Sequence, residues 1–280
     1  MVRLGLHVSI AGGIDRSVDR AAGLGCDLFQ IFSRNPRGWA SKPLPAEEAE
    51  RFAEKLHRSG LEMAVVHMPY LPNLASPRED VYRRSVEALV EELGRSGMLS
   101  APYLVTHLGS HLGSGWERGV SRIISALEAA FSRDDGDVIL LLENTAGSRN
   151  SMGSTFQDMA AIIDALDGWR LGLCLDTCHL FAAGYELRTR EGIDGTMDEL
   201  AGCISLERLR LLHLNDSSAG LGSHLDRHEH IGLGMIGEEG FRNTLSHPAL
   251  RGLPMILETP VDSRRNDPAN LQAARDLASE

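Results

Sequence analysis

Lysine is nearly missing from this chain. Lys42 and Lys55 are the only two, arginine supplies the rest of the 28 basic residues against 39 acidic ones, and the formal net charge is -11. That balance excludes a uniformly basic nucleic-acid coat, although it leaves room for a local arginine arc and for cations bound in an acidic cleft. Cysteine is scarce as well. Cys26, Cys174, Cys178 and Cys203 form no Cys-x-x-Cys pair, which argues against a secreted disulfide framework. No stretch approaches the length of apolar sequence that a spanning helix needs. The start, Met1 to His7, has one positive charge and no sustained apolar run, so it is read as a first strand rather than a signal peptide. Gly12-Gly13 lacks the third glycine and the acidic strand end of a dinucleotide fingerprint, and no Walker-type Gly-Lys pair exists, so no nucleotide cofactor is expected. These exclusions point to a cytoplasmic protein without membrane contact.

What the chain does have is apolar material, 42% of 280 residues, enough for a sizeable core. Short β-branched and apolar segments alternate with longer amphipathic ones. The expected strands are Arg3 to His7, Leu28 to Phe32, Met63 to His67, Tyr103 to His107, Val138 to Glu143, Leu171 to Asp176, Leu209 to Leu214 and Met255 to Glu258. Expected helices run from Gly13 to Leu24, Ala46 to Ser59, Arg78 to Ser96, Glu117 to Phe131, Phe156 to Leu166, Gly195 to Cys203, Glu238 to Leu245 and Asn270 to Ala278. This is a βα unit repeated eight times with room for a crossover helix in each interval and no linker-like break in composition. The predicted class is α/β, a single (β/α)8 TIM-type barrel domain over residues 1–280; a doubly wound open sheet is the structural alternative, since periodicity cannot show closure.

The ends of these strands are polar. His7, His67, His107, Glu143, Asp176, His213 and Glu258 each finish an apolar run and precede turn residues. In a barrel, all carboxyl ends of parallel strands meet at one face, so these groups would share one mouth. Asp176 with His179, and Asp226 with His228, add two more carboxylate–imidazole pairs. Imidazoles and carboxylates without a convincing thiolate suit catalytic Zn²⁺, Mn²⁺ or Fe²⁺ rather than a cysteine-rich structural zinc. The donors exceed what one ion needs, so two or three metals sharing carboxylates is the economical arrangement, and it fits metal-assisted hydrolysis of phosphate esters at neutral pH.

In sequence order the motifs are Gly5-Leu-His7-Val-Ser9, Phe32-Ser-Arg-Asn35-Pro-Arg37-Gly-Trp39, His107-Leu-Gly-Ser-His111, Glu143-Asn-Thr-Ala-Gly147, Asp176-Thr-Cys-His179-Leu-Phe-Ala-Ala-Gly-Tyr185, His213-Leu-Asn-Asp216, Asp226-Arg-His228 and Leu257-Glu-Thr-Pro260. Together they resemble the endonuclease IV family of zinc-dependent apurinic/apyrimidinic endonucleases, nearly end to end. The resemblance implies three Zn²⁺ per chain, with Mn²⁺ or Fe²⁺ admissible in part. His67, His107 and the bridging Glu143 would hold the first; Glu143, Asp176, His213 and Glu258 the second; His179, Asp226 and His228 the third. Glu143, Asp176 and Glu258 would carry catalysis. It also implies a DNA repair hydrolase of the deoxyribonuclease IV type that cuts 5′ to abasic sites in duplex DNA, leaves a 3′-hydroxyl and a 5′-deoxyribose phosphate, and cleans blocked 3′ ends, acting as a monomer. Asn35, Arg37, Trp39 and Tyr70 would contact DNA, Arg37 and Tyr70 by intruding into the duplex. Two positions depart from the family pattern: Leu108 stands where proline is usual, and Leu233 where an acidic residue is commoner. A sugar isomerase or epimerase on the same barrel, and a non-catalytic DNA-binding module, are the rival functions; metal content and product analysis separate the first, and the acidic balance opposes the second.

Overall fold

The computed structural model describes residues 2–279. Its strands, in chain order, are β1 (Arg3–His7), β2 (Leu28–Phe32), β3 (Ala64–His67), β4 (Tyr103–His107), β5 (Ile139–Glu143), β6 (Leu171–Asp176), β7 (Leu209–His213), β8 (Asp216–Ser217), β9 (His228–Glu229) and β10 (Pro254–Leu257). Among the described residues, β1 to β7 and β10 close a parallel barrel, while β8 and β9 form a small antiparallel ladder above it. Closure runs through β10 against β1, with Arg3 opposite Pro254 and Leu6 opposite Leu257. The open-sheet alternative fails on this pairing.

Helices α1 (Arg16–Gly23), α2 (Ala46–Ser59), α3 (Glu79–Met98), α4 (Trp116–Phe131), α5 (Phe156–Ala165), α6 (Thr177–Ala183), α7 (Arg190–Cys203), α8 (Gly237–Ser246) and α9 (Asp267–Ser279) fill the intervals and the end of the chain. Their apolar faces pack on the outside of the barrel in one large cluster that includes Phe52, Leu89, Ile123, Ile162 and Phe241. Local chemistry sets their starts. Thr155 caps α5 by accepting from Asp158 N at 3.1 Å, and Asp176 caps α6 by accepting from His179 N at 2.9 Å.

Most element ends fall within a residue or two of the expected ones, and three features differ. The expected helix from Gly195 begins earlier, at Arg190, because Thr189 caps it by accepting from Gly192 N at 3.1 Å. Glycine at 192 lowers helix propensity but is required by packing, since a Cβ there would lie 2.8 Å from the Glu186 carbonyl oxygen. The short helix α6 and the β8–β9 ladder have too few residues for their periodicity to show. Glu258 also lies just past its strand, which ends at Leu257.

The barrel interior explains the mouth. Leu28, Val65, Val105, Leu141, Cys174, Leu211 and Ile256 form a separate buried cluster, one residue from each of seven barrel strands. The eighth strand contributes Gly5, paired with both Leu28 and Ile256, where a Cβ would sit 2.0 Å from the Leu28 carbonyl oxygen. Side chains two residues further along a strand face the same way. From this layer, two residues on are His7, Gln30, His67, His107, Glu143, Asp176, His213 and Glu258. An apolar floor thus carries a polar ring. Leu141→Ala, which opens a void in that floor beneath Glu143, is expected to cost about 2–5 kcal/mol. Denaturant unfolding of the metal-free chain measures it, and a loss below about 1 kcal/mol would mean the layer is not close-packed.

Candidate metal centre

Glu143 stands at the centre of the ring and is fully buried. Its Oε2 lies 3.1 Å from His67 Nε2 and 3.5 Å from His107 Nε2, while its Oε1 lies 3.0 Å from His213 Nδ1 and 3.5 Å from His179 Nδ1. One carboxylate therefore faces two sets of imidazoles. Glu258 and Asp176 approach His213 Nδ1 at 3.6 Å and 4.0 Å. On the far side, Asp226 Oδ1 lies 3.3 Å from His179 Nε2 and 3.4 Å from His228 Nε2.

Each of four histidines commits one nitrogen and leaves the other turned inward. His67 Nδ1 donates to the Met68 carbonyl at 2.7 Å, His179 Nδ1 to the Asn144 carbonyl at 3.0 Å, and His228 Nδ1 to the Glu258 carbonyl at 3.1 Å. His213 is reversed: its Nε2 donates to Gln30 Oε1 at 2.9 Å, which leaves Nδ1 to face the carboxylates. Such outer bonds fix the tautomer and aim of metal-ligating imidazoles. Gln30 is held in turn, because its amide nitrogen donates to Glu258 Oε1 at 2.6 Å and lies 3.0 Å from His7 Nδ1. Turning that amide over would set two oxygens against each other at Glu258. Asn215 donates to Asp176 Oδ2 at 2.7 Å and accepts from Glu258 N at 2.8 Å, and Asn144 accepts from Asp176 N at 2.7 Å.

Electrostatics follow from burial and proximity. Burial pulls His67, His179, His213 and His228 down, but the surrounding negative groups outweigh it and raise all four, His179 to about 10. Burial lowers His7 and His107. Burial also works against ionised Glu143 and Glu258, yet the neighbouring histidines hold both well below the usual carboxylate range. The Asp226 carboxyl is lowered by its bond to His179. The ring is a demand for positive charge in a buried setting.

Metal ions fit that demand. Donor atoms come within mutual reach of one cation in three groups: His67, His107 and Glu143; Glu143, Asp176, His213 and Glu258; and His179, Asp226 and His228. A further grouping, Asp176, Cys178 and His228, is weakened because burial pushes the Cys178 thiol up to about 12, away from the thiolate a metal needs. Among the described residues, His228 Nε2 is buried without a hydrogen-bond partner. It lies 3.4 Å from Asp226 and 3.6 Å from Asp176, too far for strong hydrogen bonds and suited to sharing a cation. These are the residues expected from the sequence to hold metal.

Other histidines of the rich segments do not join. His111 Nδ1 accepts from Gly113 N and Gly115 N, and His224 Nδ1 donates to the Ala146 carbonyl at 3.2 Å. His230 is clamped between Asp262 at 3.0 Å and Asn270 at 2.9 Å. Leu108 is buried in the core and Leu233 is exposed. Gln30, His7, Asn144 and Asn215 are the ring's supports that strand ends alone do not reveal as such. The even spacing from the apolar layer is the signal that finds Gln30.

Residues 18–279 match the family model described as xylose isomerase-like TIM barrel. The chain is 56% identical over 280 residues to the probable endonuclease 4 of Methanoculleus marisnigri, covering 99% of both. It is likewise 56% identical over 282 residues to the probable endonuclease 4 of Methanosphaerula palustris, again covering 99% of each. The crystal structure of endonuclease IV from Thermus thermophilus matches with a TM-score of 0.87 at 37% identity, over 99% of both chains.

The chain belongs to the endonuclease 4 family. In this endonuclease 4 chain the ring opens into a cavity of about 370 Å³ lined by His7, Phe32, Tyr70, His107, Asp226 and His228 among others. A neighbouring groove of about 480 Å³ shares His7, Phe32 and Tyr70 and continues to Asn35 and Arg37. Asn35, Arg37 and Tyr70 are exposed, and Trp39 is half-buried with the Arg84 guanidinium 4.4 Å above its ring. No helix among the described residues is long and apolar enough to cross a membrane.

The carboxylates that raise these imidazoles favour their protonated forms, so a cation binding here competes with protons. Zinc added to metal-free protein is expected to release protons, with affinity rising as pH increases from about 6 to about 8. Calorimetry in two buffers of different ionisation enthalpy measures the release. A buffer-independent heat would show that the imidazoles were already neutral.

Proposed function

We propose that this chain, a metal-dependent nuclease of the endonuclease IV type, repairs DNA by hydrolysing the phosphodiester 5′ to an abasic site. The products are a 3′-hydroxyl and a 5′-deoxyribose phosphate, and the same centre removes blocking groups from 3′ ends. It would work as one barrel domain and as a monomer. The observation that carries this reading is Glu143, one buried carboxylate facing imidazoles on both sides at the mouth of the barrel. His67 and His107 would hold one zinc with Glu143; Asp176, His213 and Glu258 would hold a second with the same Glu143; His179, Asp226 and His228 would hold a third. Bound zinc lowers the pKa of water to near 7 and neutralises charge on phosphoryl and leaving oxygens.

The chain's own residues supply orientation. Gln30 fixes the face His213 presents, Asn144 and Asn215 fix Asp176, and the apolar floor beneath keeps water from the far side of the ring. Arg37 and Tyr70, exposed beside the ring, are suited to entering a groove and filling the space of a displaced nucleotide. The isomerase alternative shares the barrel, but relatives at 56% identity over the full chain bear the endonuclease name.

Elemental analysis of purified protein is expected to find close to three divalent ions per chain, and chelation to remove both metal and cleavage of an abasic duplex. One ion per chain with undiminished cleavage would sink the trinuclear assignment. Glu143→Gln keeps shape and removes charge, so it should lower single-turnover cleavage by at least about 10²-fold while duplex binding persists. Wild-type cleavage by a fully metallated Glu143→Gln protein would refute the bridging role.

Replacing Arg37 and Tyr70 together by alanine should leave zinc content intact and weaken recognition of a matched abasic duplex. A substrate already bulged at the lesion should be spared, because little unstacking energy remains to be offset. Equal losses on both substrates at one ionic strength would point to ordinary backbone attraction instead.

A further inference from the structure

Away from the metal ring, a second buried charge cluster lies beneath the loop that follows β2. Glu92, in the second half of α3, is completely buried, and Arg34 and Arg95 are each only 7% exposed. Glu92 Oε1 accepts from Arg34 Nε at 2.6 Å, and Glu92 Oε2 accepts from Ser33 Oγ at 2.6 Å. Arg95 Nε donates to the same Ser33 hydroxyl at 2.7 Å. A carboxylate without these partners would be costly at this depth, and so would either guanidinium without the carboxylate.

The other hydrogen bonds of these two guanidiniums grip one loop. Arg34 Nη1 donates to the Trp39 carbonyl at 3.1 Å, Arg95 Nη1 to the Lys42 carbonyl at 3.1 Å, and Arg95 Nη2 to the Ser33 carbonyl at 2.5 Å. From the same helix, Glu91 bonds Ser41 Oγ and lies 3.5 Å from Arg34, while Arg84 covers Trp39. The loop in turn touches the next one, since the Pro36 carbonyl accepts from Tyr70 N at 3.1 Å. Asn35 and Arg37 therefore project from a segment fastened at both ends to α3, and Tyr70 is fastened to that segment.

We propose that Glu92 is a positioning residue for substrate recognition, a buried anchor that holds the loop of residues 33–42, and through it Tyr70, in the arrangement that meets damaged duplex DNA. The proposal rests on the DNA-cleaving reading above. Glu92 touches neither the metal groups nor the cavity over them, so it acts through Arg37 and Tyr70. A misplacement of about 1 Å in such groups can cost up to about 10²-fold in rate.

The test is Glu92→Gln in the zinc-loaded, full-length protein. Without DNA, amide hydrogen exchange in residues 33–42 should accelerate while zinc content stays at the wild-type level. Cleavage of a matched abasic duplex should lose about tenfold in kcat/KM, mainly through KM, and a bulged abasic duplex should lose much less. Placed in the Arg37→Ala, Tyr70→Ala background, Glu92→Gln should add no further loss, which a general weakening of the fold would not produce. If Glu92→Gln does not fold, Ser33→Ala removes only the shared hydroxyl and should shift exchange and KM in the same direction by less. Unchanged exchange in residues 33–42, or an equal loss in both backgrounds, overturns the proposal. Failure of wild-type protein to cut abasic DNA overturns the functional reading instead, and the exchange measurement then still decides whether Glu92 anchors the loop.

Discussion

Three carboxylates over an apolar floor are the constraint on which this molecule turns. Glu143 and Asp176 are inaccessible to solvent, Glu258 is half-buried, and all three sit directly above a layer of Leu, Val, Ile and Cys side chains. Such a layer offers no hydrogen bond from below, so positive charge and donors must come from the sides and from above. The sides supply imidazoles. The same carboxylates raise His67, His179, His213 and His228 despite burial. Imidazoles set against buried carboxylates in this way are a ligand set suited to divalent cations.

The supports follow from the same constraint. An imidazole can serve a cation only through a nitrogen that is not already committed, so its other nitrogen needs a fixed partner. Backbone carbonyls fill that role for His67, His179 and His228, because each lies where a strand or turn carbonyl is within reach. For His213 the side chain of Gln30 takes that place. That single amide joins His213, Glu258 and His7, drawing neighbouring strands of the barrel into one hydrogen-bonded unit.

Much of this is legible in the sequence because strands are periodic. The eight apolar runs, and the polar residues closing seven of them, are enough to predict a barrel with a crowded mouth. Gln30 escapes that reasoning: it lies inside its strand, two residues before Phe32, and becomes visible only when counted from the interior layer. Glu258 shows the reverse, since the strand stops at Leu257 while the side chain still occupies the ring position. The start of α7 is hidden because glycine propensity points one way and the close approach of Glu186 to Gly192 points the other. His224, Asp226, His228 and His230 crowd one segment, and local sequence cannot say which turn inward. The β8–β9 ladder decides it by presenting Asp226 and His228 to His179, while His230 is taken by Asp262 and Asn270 from the end of the chain.

Two solutions to buried charge coexist in one barrel, and they differ in what they permit. At the mouth, carboxylates exceed the fixed cations nearby, so charge balance is left to exchangeable species, protons or metal, and the site stays chemically open. Beneath the loop after β2, Glu92 bonds the Arg34 guanidinium directly and reaches Arg95 through the Ser33 hydroxyl, so its countercharge is built into the fold and the geometry is closed. An exchangeable arrangement suits chemistry on an anionic substrate, which must approach a centre able to accept more negative charge. A permanent one suits a surface that must keep its shape while something large is bent against it. The net charge of -11 fits this division, because little of the surface is given over to uniform attraction, and under the proposed function recognition rests on where a few arginines and one tyrosine are held.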